Sequence, residues 1–109
     1  MDEMTARQVI EGMPQTFRPE RAARVDAVIQ FELSGAGGGN WYLAIKDRKC
    51  TVTEGVTESA SATIRMKASD YVALATGKLG GMKAFATGRV KVTGDISLLR
   101  RMESWFGKV

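Results

Sequence analysis

The sequence predicts an α+β domain, a largely antiparallel sheet with helices layered on one face. Apolar and polar residues alternate over four successive segments, Ala27–Leu33, Trp41–Lys46, Cys50–Glu54 and Ala62–Lys67, as strands with one buried face do. Apolar residues at helical spacing flank them: Val9, Ile10, Met13 and Phe17 before, and Leu98, Leu99, Met102, Trp105 and Phe106 after. A chain of 109 residues supports one core and not two, so one domain over residues 1–109 is expected.

Thr5 and Gln8 stand at capping-box spacing, which starts the first helix near Ala6. Pro14 has no N–H for an interior hydrogen bond, and the helix is expected to end or kink around Gly12 and Met13. Pro19 suits the first position of a further short turn, with Glu20 at the positive end of its dipole. In the first strand Ala27, Ile29, Phe31 and Leu33 point one way and Val28, Gln30 and Glu32 the other. The flexible run Gly35–Asn40 joins it to Trp41–Lys46, and the polar turn Asp47–Lys49 leads into Cys50–Glu54. Four strands in succession argue for antiparallel pairing.

After Lys67 the pattern returns to helix. Ser69 is expected to cap a helix carrying Tyr71, Val72, Leu74 and Ala75 up to a stop at Gly77, and Met82–Thr87 reads as a second short helix before Gly88. Arg89–Thr93 is a strand with valines inward and cations outward. Asp95 caps the last helix, whose stripe of Leu98, Leu99, Met102, Trp105 and Phe106 faces inward, with Arg100, Arg101 and Glu103 on much of the other side.

Composition narrows the functional classes. No apolar stretch approaches the roughly eighteen residues of a spanning helix, so insertion across a membrane is not expected. The start MDEMTARQ lacks the basic flank and apolar centre of a secretory signal, and the end FGKV lacks a peroxisomal tripeptide. A cytoplasmic location follows as the expectation. One cysteine, Cys50, and no histidine leave no internal disulfide and no structural metal site of the usual kind.

The absence of histidine also removes the commonest general base, so no catalytic residue is assigned, no cofactor is expected, and the chain is read as not an enzyme. Cys50 reads as a small core residue, and Asp70 and Asp95 as helix caps. The run Gly35–Gly39 leads into a strand, where a phosphate cradle would need a helix N-terminus, so it reads as a hairpin connection. A net charge of +4 permits attraction to anionic surfaces. Lys83, Arg89, Lys91, Arg100 and Arg101 suit a solvated face; they lack interleaved aromatics for base stacking, so nucleic acid is not expected and transient contact with an anionic membrane surface is the preferred functional reading.

The C-terminal half carries Ser69, Asp70, Tyr71, Leu74, Gly77, Lys78 and Leu79, then Ala84, Phe85, Gly88, Arg89, Val90, Lys91, Val92, Gly94 and Asp95. Upstream stand Phe17-x-Pro19-Glu20, the strand Val28–Gly35 and the run Trp41–Asp47. In order and spacing these resemble the sterol carrier protein-2 family over nearly the whole chain, although here the aspartate follows the serine directly. The resemblance implies a five-stranded, mostly antiparallel sheet with an apolar tunnel between sheet and helices. It implies ligand-lining roles for Trp41, Met82, Phe85, Leu99, Met102 and Phe106, to which inward phase adds Phe31 and Leu74. Where the family often has Pro-Gln-x-Ala-Phe this chain has Gly81-Met82-Lys83-Ala84-Phe85, and Met82 cannot bind a polar headgroup as glutamine would. The expected function is non-enzymatic binding or transfer of one small apolar ligand: a fatty acid, acyl-CoA, sterol or phospholipid. The alternative is an accessory interaction domain that docks on a partner enzyme or presents a lipid intermediate to it.

Overall fold

A computed structural model describes residues 5–106, so the acidic start at residues 1–4 and the end at residues 107–109 lie outside the described residues. The chain begins at α1 (Ala6–Thr16), opened by reciprocal capping: Thr5 Oγ1 accepts the Gln8 N–H at 3.1 Å and Gln8 Oε1 accepts the Thr5 N–H at 2.9 Å. Pro14 does not end this helix, contrary to expectation, and α1 runs on to Thr16. Proline falls in the final turn, where it removes one hydrogen bond, while Val9 and Ile10 are already buried in the core. A 3₁₀ turn at Pro19–Ala22 follows, with proline at its start.

The sheet comprises β1 (Ala27–Ser34), β2 (Gly39–Lys46), β3 (Lys49–Glu54), β4 (Ala62–Lys67) and β5 (Val90–Gly94), in spatial order β3-β2-β1-β4-β5. The β2–β3 hairpin turns on Asp47 and Arg48, both at positive φ (53° and 63°), the geometry that matches strand twist. Uniform antiparallel pairing of the four successive strands does not occur. β4 pairs with β1 in parallel, Phe31 opposite Ile64, because the connection after β3 crosses back over β2 and β1. Gln30, buried on the face away from the helices, holds that crossing: its amide donates to the Trp41 and Gly55 carbonyls, each at 3.0 Å, and its oxygen accepts the Thr57 N–H at 2.8 Å.

Period-two phase then decides the core. Ile29, Phe31, Leu43, Ile45 and Trp41 are buried on one face beneath the helices, and Val90 and Val92 of β5 share that phase with Lys91 opposite. α2 (Ala68–Ala75) lies against β1 and β4 and beside α1, which covers β3; α4 (Ile96–Trp105) packs on β4 and the 3₁₀ turn. Ser69 does not cap α2. Lys67 occupies the cap position without a side-chain hydrogen bond, because the helix begins directly at the strand's end, and Asp70 sits inside the first turn. Asp95 does cap α4, accepting the Ser97 N–H at 3.1 Å. The far end of α4 returns to α1: Arg18 N–H donates to the Trp105 carbonyl at 2.7 Å, and the Phe17 and Phe106 rings lie 5.6 Å apart. Only α3 (Gly81–Ala86) stands apart, on β5, burying Ala84.

Candidate functional site

The eight residues expected to line a ligand tunnel fall into three environments. Phe31 and Trp41 are paired across β1 and β2 in the centre of the core, with the Phe31 ring edge-on to Tyr71 at 5.5 Å. Leu74, Met102 and Phe106 are half-buried at the margin of that core, where Met13 and Phe17 join them. Met82 and Phe85 face solvent, 90% and 59% exposed. The resemblance implied a lining role for this pair; here α3, only six residues long, turns Ala84 toward the sheet and both of them outward. The side chain of Leu99 lies outside what the structure describes.

Between sheet and helices, therefore, packed aromatic and aliphatic side chains occupy the centre, and half-buried helical side chains rim it. The rim is the place where an apolar chain can enter with least disruption, since its residues already lack full contact. One polar atom in this layer is unpaired. Trp41 Nε1 is buried without a hydrogen-bond partner among the described residues, at a cost on the order of 1–3 kcal/mol that a ligand oxygen would recover. Outside the ring, the Arg7 guanidinium lies 5.4 Å from the Trp41 centroid and makes a two-pronged pair with Glu54, at 2.9 and 3.0 Å. That hydrogen bond and charge hold the Glu54 carboxyl below its ordinary range and clamp α1 onto β3.

A separate open groove of about 890 Å³ lies where β1, β4 and β5 meet the start of α2. Leu33 and Met66 form its apolar floor, while Glu32, Arg65, Lys67, Arg89 and Lys91 make it polar, with Arg65 and Glu32 paired at 2.8 Å. None of the seven expected residues whose side chains are described lines it. The period-two phase already put Glu32 and Arg65 on the outward face, but their meeting depends on the β1–β4 pairing, which no local pattern announces.

Cys50 behaves as the composition suggested. It packs half-buried against the core, and burial pushes its thiol up from an ordinary 9.0 to about 12. At pH 8 its alkylation by iodoacetamide should run at least about a hundredfold slower than in urea-unfolded protein, because the thiolate is the nucleophile. The raised pKa also fixes a sign: above pH 9 the unfolded chain loses a proton that the folded chain keeps, so the thiol's contribution to stability falls between pH 9 and about 12. Equal alkylation rates in the two states would contradict the assignment. Among the described residues no cluster of metal-ligating side chains occurs, and no helix is long and apolar enough to cross a membrane.

Comparison with known proteins bears on this architecture. The family model described as the SCP-2 sterol transfer family matches residues 7–107. Hydroxysteroid dehydrogenase-like protein 2 of Mus musculus is 38% identical over 100 residues, covering 84% of this chain but 20% of its own length. The chain spans about a fifth to a quarter of these curated relatives. Among solved structures, the stereoselective inverting sec-alkylsulfatase Pisa1 from Pseudomonas sp. superposes with a TM-score of 0.85 at 17% identity, over 97% of this chain and 17% of the enzyme. Palmitated SCP2L2 from Aedes aegypti superposes at 0.74 with 23% identity, over 96% of this chain and 97% of that one.

Proposed function

The chain belongs to the SCP-2 sterol transfer family, and from that premise we propose that it is a non-enzymatic carrier of one fatty-acyl chain, held between the sheet and the helices of residues 1–109. The observation that carries this reading is the coincidence of a match over nearly the whole chain with a layer between sheet and helices that is apolar and, at Leu74, Met102 and Phe106, incompletely covered. The palmitated structure of the Aedes aegypti relative directs the choice of a fatty-acyl chain. Enclosing roughly ten methylenes contributes about 8 kcal/mol before ordering costs, enough for a dissociation constant near 1 µM, which is about 8.2 kcal/mol. Trp41 Nε1–H supplies a donor for the ligand's oxygen. Uptake proceeds as α4, held to α1 through Phe106 and Phe17, swings from the rim as a lid.

The test is displacement of a fluorescent fatty acid from delipidated protein by unlabelled palmitate, acyl-CoA and sterol. The expected outcome is saturable binding near one ligand per chain, with the Trp41 indole N–H resonance moving downfield as palmitate is added. Phe106→Asp should weaken palmitate at least about tenfold while the sheet remains folded, since a buried carboxylate at the rim opposes an apolar chain. Normal uptake in that folded variant would count against the lid. A second reading, an accessory domain serving a partner enzyme, is favoured by one observation: the chain matches a small part of much longer relatives. It expects no saturable uptake in the same titration.

A further inference from the structure

We propose that α3 is the face by which this protein rests on an anionic phospholipid bilayer. The proposal rests on the carrier reading only for the identity of the cargo; the surface itself is argued from exposure and charge. Met82 and Phe85 are three residues apart on one face of α3, at 90% and 59% exposure, while Ala84 turns to the sheet and is fully buried. Two large apolar side chains turned outward from a single helical turn are an expense that a globular surface normally avoids unless they are covered in use.

Charge identifies the cover. The 24 residues from Tyr71 to Gly94 contain no aspartate or glutamate and four cations, Lys78, Lys83, Arg89 and Lys91. Those four equal the net charge of the entire chain, and the remaining cations and acids balance. All four are exposed, and none forms an ion pair with a described residue. Apolar tips carried on a segment with four unpaired cations and no acid match the two layers of an anionic bilayer surface, acyl boundary below and negative headgroups above. A nucleic acid would use the cations but would gain nothing from Met82, which can neither stack nor hydrogen-bond to a base strongly. α3 is also easily presented: it buries little against the fold, and Gly77 and Gly88, at φ of 81° and 74°, bound the segment that holds it. The membrane contact thus centres on α3 and its flanks, with Arg100 and Arg101 of α4 unnecessary to it.

The experiment is flotation of the full chain with vesicles of equal parts phosphatidylcholine and phosphatidylserine, beside vesicles of phosphatidylcholine alone. The protein should float with the anionic vesicles, and raised salt should release it. Met82→Asp with Phe85→Asp should lower the partition coefficient at least about tenfold. Lys83→Gln with Arg89→Gln should lower it roughly fivefold for each cation removed, the equivalent of about 1 kcal/mol each. Both variants change exposed side chains, so circular dichroism and palmitate uptake from solution should match the parent. Undiminished flotation of the aspartate variant overturns the proposal, as does equal flotation with phosphatidylcholine alone. A folded aspartate variant that loses palmitate uptake also overturns it, since α3 would then line the cargo site. A parent that floats but takes up no palmitate removes the carrier reading and leaves the bilayer face standing.

Discussion

Replacing Phe31 by alanine is expected to lower the unfolding free energy by ~3–5 kcal/mol, the range for removing a fully buried aromatic ring. Phe31 sits on the central strand β1, opposite Trp41 on one side and Ile64 on the other, and its ring meets Tyr71 of α2 edge-on at 5.5 Å. Removing it therefore empties the junction of three strands and a helix at once. Nothing can collapse into the space cheaply, because both neighbouring positions are fixed by sheet register. Urea unfolding should show a lower midpoint with an unchanged slope, as for lost stability without a change in exposed surface. The size of the effect separates two roles for this residue. A side chain that chiefly lined a ligand cavity would already face free space, and its truncation in delipidated protein would cost well under 2 kcal/mol. A loss that small would move Phe31 from the core to the ligand wall.

The elements that sequence made legible are those governed by local chemistry. Strand phase was readable because, apart from Val28, the inward apolar residues of β1 and β2 alternate with polar, aromatic-hydroxyl or small ones, and the same alternation separates Val90 and Val92 from Lys91. The Thr5–Gln8 box and the Asp95 cap were readable because capping is an interaction within three residues. Non-local choices were not. Period two fixes which face a residue occupies but not which strand lies beside it, so the parallel β1–β4 pair and the Glu32–Arg65 contact it creates had no signature. The family resemblance foresaw the five strands and their helical layer, and it carried Met82 and Phe85 toward a tunnel wall. Their outward placement depends on how far one short helix is rotated on β5, a tertiary property that six residues cannot encode by periodicity.

Gly94→Ala should destabilise the protein by ~3–5 kcal/mol, while Gly88→Ala should cost only ~1–2 kcal/mol, although both glycines adopt left-handed backbone. Gly94 ends β5 at φ 88° and pairs with Ala62, and a Cβ there would lie 2.5 Å from the Ser61 carbonyl oxygen and 2.9 Å from the Ala62 Cα. Both atoms are backbone, so no side chain can swing aside. Ser61 is held from three directions: its N–H donates to the Val28 carbonyl at 2.7 Å, its hydroxyl accepts the Val28 N–H at 3.1 Å, and its carbonyl accepts the Asp95 N–H at 2.9 Å. Relief must come from β5 moving off β4, which carries the Asp95 cap and the first turn of α4 with it. At Gly88, φ is 74° but nothing lies within 4 Å of the added carbon, so only the conformational cost remains. The pair of variants thus separates backbone strain from collision. Hydrogen exchange should show where the difference goes: in Gly94→Ala the amides of α4 and of Arg18, which donates to the Trp105 carbonyl, should exchange faster while β1 and β2 stay protected. Because α4 is the lid of the proposed carrier, the same variant should take up and release palmitate faster than the parent. Equal stability losses at the two glycines would mean that Ser61 yields, and would detach the movement of α4 from the end of β5.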